Sequence, residues 1–283
     1  MILAFLVYFF ILFIAVTFGY IASHKHIKLQ LYNKYILLPI IIISLIVGFR
    51  YLVGTDWESY HFLYNQALAD FLSVGNIFTS TMEPLYIVLN LVLAFFQVPY
   101  QMFFAVVMMI HLCLLYKSFK DYVWLLPLGL FFYFTSVFTT SLNIQRQTMS
   151  FCVFLFATNY YRNGNAVKYV LSIFIAISMH YSSIILLPIY LLRSKVFSFL
   201  DNRCIDILLY AISFFLFEHI LNIINSILTT YVTNAKYLSN MALLGNADME
   251  VNSGLGILIF HFLDLLIILY SRKMSIYFEQ MHF

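Results

Sequence analysis

The sequence predicts an all-α, polytopic helical membrane protein, and three observations predict it. Of its 283 residues, 63% are apolar and only 10% are charged, against about 25% charged in a typical soluble domain. The mean hydropathy of +0.92 is spread along the whole length rather than held in one N-terminal block, which excludes a secreted domain behind a signal peptide and a soluble enzyme with one anchor. The Lys and Arg residues fall in short clusters between apolar runs, where they mark membrane edges. The net charge of +3 carries no nucleic-acid signal. Cys113, Cys152 and Cys204 lie in or beside apolar runs without CxxC spacing, so they read as small hydrophobes rather than ligands or disulfides.

A spanning helix needs about 20 mainly apolar residues at 1.5 Å each. Residues 2–22 and 35–50 flank the basic stretch Ser23-His24-Lys25-His26-Ile27-Lys28, which the positive-inside rule assigns to the cytoplasm. The N-terminus then starts outside, and residues 51–82 form an external loop, the longest polar connection in this half. Further runs cover 84–97, 100–116, 123–141, 144–161, 169–192, 205–229 and 254–271, for about nine or ten membrane segments. Arg162 with Lys168, then Arg193, Lys195 and Arg203, then Arg272 with Lys273 mark cytoplasmic positions. Residues 169–192 separate the first two of these clusters, room for one full span but not two. One span would put a basic cluster outside, so the run is read as two half-helices forming a re-entrant hairpin with His180-Tyr181-Ser182-Ser183 at its tip. His180 then sits at the floor of an external cavity. If 84–97 and 100–116 both cross, Lys117 and Lys120 fall outside; the short first run makes an incomplete crossing by one of them the expectation. No repeat, low-complexity tract or linker divides residues 1–283, which are read as a single integral membrane domain.

An ionisable group in hydrocarbon costs several kcal/mol and asks for a partner, a cavity or a function. Four places stand out. Arg50-Tyr51-Leu52-Val53-Gly54-Thr55-Asp56-Trp57-Glu58-Ser59-Tyr60 closes the second run. An interfacial belt explains Tyr51, Trp57 and Tyr60, but Asp56 after a Gly-Thr turn and between aromatics suits sugar binding by stacking and hydrogen bonds. In Asn143-Ile144-Gln145-Arg146-Gln147, three amides surround an arginine with no carboxylate nearby in sequence. An arginine fork matches phosphate or pyrophosphate oxygens, so this reads as an anion site in preference to a snorkelling arginine. His180 is a packing histidine on its own segment alone; at a re-entrant tip it becomes a base, a proton relay or a donor to a leaving phosphate. Glu83 precedes Pro84 at a helix start near the positive end of the dipole, and it is carried among the substrate-facing residues with Tyr181. His111, Glu218, His219, His261 and Asp264 are scattered and read as structural or pore-facing groups. No Walker A loop, HExxH, metal-spaced cysteine pair or G-x-S-x-G elbow is present.

The order Arg50…Gly54-Thr55-Asp56-Trp57…Tyr60, Glu83-Pro84, Asn143-Ile144-Gln145-Arg146-Gln147 and His180-Tyr181-Ser182-Ser183 resembles the EpsG branch of the Wzy-type polysaccharide polymerases. The match runs over roughly residues 45–195. Its recurring polar features are the Asp-rich aromatic motif, Asn-x-x-Arg-Gln and a mid-segment His, and these fall on Asp56, on Arg146 with Gln147, and on His180. Gln145 departs from the usual hydrophobic or variable residue. Relatives commonly continue through further spans beyond the equivalent of Phe283, which leaves a short member, a truncated product or a fragment as readings.

The resemblance implies a GT-C-like, metal-independent glycosyltransferase of the bacterial inner membrane, acting at its external face without a cofactor or nucleotide sugar. The donor is a growing O-antigen, capsule or exopolysaccharide chain on undecaprenyl pyrophosphate, the acceptor is a lipid-linked repeat unit, and the partners are membrane lipid and a chain-length regulator. Catalytic roles fall on Arg146, His180 and Asp56, and substrate binding on Arg50, Trp57, Tyr60, Glu83, Asn143, Gln147 and Tyr181. A lipid-linked glycan flippase or transporter shares the composition but asks for inverted repeats. An O-antigen ligase asks for a dominant external loop in the C-terminal half, where residues 230–253 supply only a short one. A structural scaffold is the remaining alternative.

Overall fold

A computed structural model describes residues 2–24, 29–74, 83–197, 202, 204–213 and a few single positions up to 270. Among the described residues every regular element is helical. The run 254–271, most of 205–229 and the polar residues Glu218, His261 and Asp264 lie largely or wholly outside them. The chain divides into two compact units, Met1–Tyr190 and Leu191–Phe283. In the second, the described backbone includes a short apolar helix, Cys204–Ser213.

The first unit opens with the long helices α1 (Ile2–Ser23) and α2 (Leu29–Gly48). Both pack with α5 (Tyr100–Ser118), α6 (Leu126–Phe132) and α7 (Phe138–Ser141) around Ile11, Ala15, Ile43, Leu112, Leu126 and Phe138. A π turn at Tyr133–Val137 joins α6 to α7, so that Val123–Ser141 runs as one interrupted helix. Ala4–Ser23, Tyr100–Ser118 and Val123–Ser141 are long and apolar enough to cross a membrane; Tyr35–Gly48, Pro84–Phe95 and Ala166–Met179 are shorter apolar helices. The expected external loop 51–82 contains an 18-residue helix, α3 (Trp57–Val74). Its Trp57, Tyr60 and Tyr64 recur at three- and four-residue spacing and bury one face against Tyr86, Phe103 and Phe104. A stretch too polar to span was still periodic enough to fold onto the bundle.

Ring contacts and ion pairs define the two ends of this unit. At one, Asp121 and Tyr122, just past α5, meet Arg162, the last residue of α8 (Gln145–Arg162), with Arg162 Nη2 3.3 Å from Asp121 and its guanidinium 4.2 Å above the Tyr122 ring. Lys117 and Lys120 therefore share an end with Arg162, as a common membrane face requires. At the other end, Tyr86 in the first turn of α4 (Pro84–Phe95) packs on Phe103 in the first turn of α5, 6.4 Å between rings. Helix α4 is about 18 Å long, shorter than a full span, and only residues 96–99 separate it from Tyr100 at the start of α5.

Helix α9 (Ala166–Met179), capped by the Asn165 side chain accepting from Lys168 N–H at 3.0 Å, rises from the basic end and stops at His180, whose backbone is extended. A 3-10 helix, Tyr181–Arg193, then runs back alongside it. The Tyr169 hydroxyl donates to the Leu186 carbonyl at 2.7 Å, and the Tyr169 and Tyr190 rings lie 5.3 Å apart. The chain thus forms a helical hairpin with His180 at the bend.

Candidate functional site

Three segments far apart in sequence converge at the end opposite the basic cluster. Glu83 stands immediately ahead of α4, Arg146 in the first turn of α8, and His180 at the hairpin bend. One carboxylate serves both partners: Arg146 Nη1 donates to Glu83 Oε2, and Glu83 Oε1 lies 2.8 Å from His180 Nδ1. The Glu83 side chain is 5% exposed, while those of Arg146 and His180 are 28% and 26% exposed. The anion is therefore buried beneath two groups that still reach the surface. The Tyr60 hydroxyl lies against the same guanidinium, and Asp56 is close enough to Tyr60 to act on it electrostatically.

Arg146 is thus not the unneutralised cation that its local sequence displays. Its counter-ion comes from 63 positions away, a distance that no motif spacing reveals. Burial opposes the charged form of Glu83, but hydrogen bonds from His180 and from its own backbone, with the Arg146 guanidinium, outweigh that opposition and hold the carboxyl down at about 2. An ionised carboxylate has no proton to give, so the hydrogen in the Glu83–His180 contact is carried by Nδ1. In the neutral form of the ring, this places the lone pair on Nε2. This orientation of an imidazole by a buried acid is the physical basis of carboxylate–histidine catalysis.

The other sequence-nominated residues take up different positions. Arg50 is buried: its Nη1 donates to the Leu142 carbonyl at 2.9 Å and its guanidinium sits 4.9 Å above the Phe104 ring. Trp57 is also buried, donating from Nε1 to the Arg50 carbonyl at 3.2 Å, with the His61 ring stacked on it at 4.9 Å. Expected to bind substrate, both instead face inward, because a guanidinium and an indole offer the largest apolar and hydrogen-bonding surfaces for joining these loops. Asn143 Oδ1 accepts from Thr55 N–H at 2.9 Å and so ties the Gly54-Thr55 turn to the start of α8. Gly54 adopts φ +98°, and a Cβ there would collide with Asn143 Oδ1. Arg50, Trp57 and Asn143 therefore hold the support under the site, while Gln147 and Tyr181 are exposed beside it.

In the layer behind the ion pair, the sequence motifs include Gln145 and Ser183 but give no role to Tyr86 or Ser150. Tyr86, fully buried, donates to Gln145 Oε1 at 3.4 Å, and Ser150 and Ser183 are buried in contact with each other. Helical spacing was the available signal: Tyr86 lies three residues after Glu83 and Ser150 four after Arg146, which places each on the same helix face as a nominated residue. Among the described residues no three His, Cys, Asp or Glu side chains gather as a metal-ligand set.

Comparison with curated proteins and with solved structures finds no match. The profile of the EpsG family matches residues 33–282, a range that includes all three converging segments. With most of its length covered by that profile, the chain belongs to the EpsG family.

Proposed function

We propose that this protein is a membrane glycosyltransferase that polymerises polysaccharide repeat units carried on undecaprenyl pyrophosphate at the external face of the bacterial inner membrane. Family membership supports the reaction class. The observation that carries the mechanism is the buried Glu83 carboxylate shared between Arg146 and His180. His180 Nε2 takes the proton from an acceptor-sugar hydroxyl. The oxygen attacks the anomeric carbon of the donor glycan, the bond from that carbon to the pyrophosphate oxygen breaks, and the carrier pyrophosphate leaves with the electron pair. The exposed edge of Arg146 meets the charge developing on that leaving group. The Tyr60 hydroxyl lies against the same guanidinium from within the core, and Asp56, half-buried beside Tyr60, is the group that meets the sugar. The hairpin at His180 enters the membrane from the cytoplasmic face, because the basic residues at its base mark that side.

The test is complementation of a polymerase-deficient strain, read as a chain-length ladder. Arg146→Ala and His180→Ala, each at normal expression, are expected to abolish long chains and leave single repeat units on the surface lipid. Long chains at wild-type abundance from Arg146→Ala refute the pyrophosphate role. Loss of surface glycan altogether, single units included, indicates a flippase instead.

A further inference from the structure

Behind the ion pair, a closed ring of hydrogen bonds surrounds the backbone of His180. The Ala176 carbonyl accepts from His180 N–H at 2.9 Å, and the His180 carbonyl accepts from Ser183 N–H at 3.1 Å. The Ser150 hydroxyl donates to the same Ala176 carbonyl at 2.9 Å, and the Ser150 and Ser183 hydroxyl oxygens are in hydrogen-bond contact. A serine hydroxyl has one hydrogen. Because that of Ser150 goes to Ala176, the hydrogen between the two serines belongs to Ser183, and the direction of the ring is set: Ser183 to Ser150 to Ala176. Ser150 is fully buried and Ser183 nearly so.

Ser150 is the one member of this ring that comes from α8 rather than from the hairpin, and it sits one helical turn after Arg146, on the same face. Helix α8 therefore holds His180 twice, through Arg146 and Glu83 at the imidazole and through Ser150 at the backbone. The two arms of the hairpin, α9 and the 3-10 helix, are fastened to α8 and to each other at the residue where regular helix gives way to extended backbone. At this residue the α-helical ladder ends with the His180 bond to Ala176, so the angle between the two arms depends on ties such as that from Ser150.

We infer that Ser150 and Ser183 are positioning residues that fix the bend of the hairpin so that His180 presents Nε2 to the acceptor hydroxyl while Nδ1 stays on Glu83. This inference rests on the proposed role of His180. Substrate binding is left to the groups around Arg146, so the serines act on turnover and not on affinity.

The experiment uses the full chain in proteoliposomes, with lipid-linked repeat units extracted from a strain lacking this protein as substrate. Variants are compared at equal amounts of monodisperse protein. Ser150→Ala and Ser183→Ala are each expected to lower kcat about tenfold or more with KM within about twofold of wild type. Nitrogen-15 spectra of the imidazoles supply the second readout, with the His180 signals identified by their loss in His180→Ala. Wild type should show one tautomer, protonated at Nδ1, and the serine variants a mixture. Serine variants with wild-type kcat and a single tautomer, beside an inactive His180→Ala, overturn the positioning role and leave the proposed function standing. An active His180→Ala overturns the functional reading itself, and this inference with it.

Discussion

Glu83→Gln keeps the size of the side chain and removes its charge, which isolates what the shared carboxylate does. A carboxyl brought from 4.5 to about 2 in the folded protein is worth about 3 kcal/mol of stability at neutral pH, at about 1.4 kcal/mol per tenfold change. The amide leaves Arg146 without a counter-ion, but that guanidinium is 28% exposed, and water recovers part of the loss. A net destabilisation of about 2 kcal/mol follows. The catalytic cost is larger. An amide can present either its oxygen or its NH2 group to His180, so Nδ1–H is no longer enforced and the fraction of imidazole with a free Nε2 falls. Losing the orienting acid in comparable carboxylate–histidine pairs costs up to about 10⁴ in kcat, and a loss of about 10² or more is expected here. The assay pairs thermal unfolding in detergent with polymerisation rates in proteoliposomes. A folded Glu83→Gln protein that polymerises at the wild-type rate refutes the reasoning, because His180 would then owe nothing to the carboxylate.

Three further outcomes follow from the same geometry. Because the folded Glu83 carboxyl sits below its unfolded value, its contribution is complete above about pH 4.5 and is lost as pH falls toward 2. The acid limb of a stability–pH curve between about pH 4.5 and 2 should therefore flatten in Glu83→Gln. Gly54→Ala places a Cβ on a backbone at φ +98° and against Asn143, for a cost of about 1–3 kcal/mol; thermal unfolding measures it, and an unchanged midpoint counts against the turn's role in anchoring α8. Trp57→Ala removes a buried indole and its hydrogen bond to Arg50, for about 3–5 kcal/mol, whereas Tyr181→Ala changes an exposed side chain and should leave stability within about 0.5 kcal/mol. A well-folded Trp57→Ala with a defect only in substrate affinity would return the indole to the sugar site.

How much of this was legible in the chain differs from residue to residue. His180 and Arg146 announced themselves as polar groups inside apolar runs, because ionisable groups in such runs are costly and rarely idle. The spacing of basic residues around 169–192 suggests a turn near His180, and the structure has a bend at that residue. Glu83 was visible but read chiefly as a helix start, since its partners lie 63 and 97 positions away. Arg50 and Trp57 carried the same surface signature as a sugar site, and only burial separates an anchor from a ligand. The helix inside 51–82 is too polar to read as a span, although Trp57, Tyr60 and Tyr64 carry the helical period.

Composition and charge placement by themselves determined the helical class, the apolar runs and the short set of polar residues worth following, because these depend on local hydrophobicity and on the cost of charge in hydrocarbon. Tertiary structure alone decided which of those residues meet. Pairing one carboxylate with Arg146 and His180, turning Arg50 inward and closing the serine ring around the hairpin bend all depend on helix packing over long stretches of chain. Local sequence carries no measure of such distances.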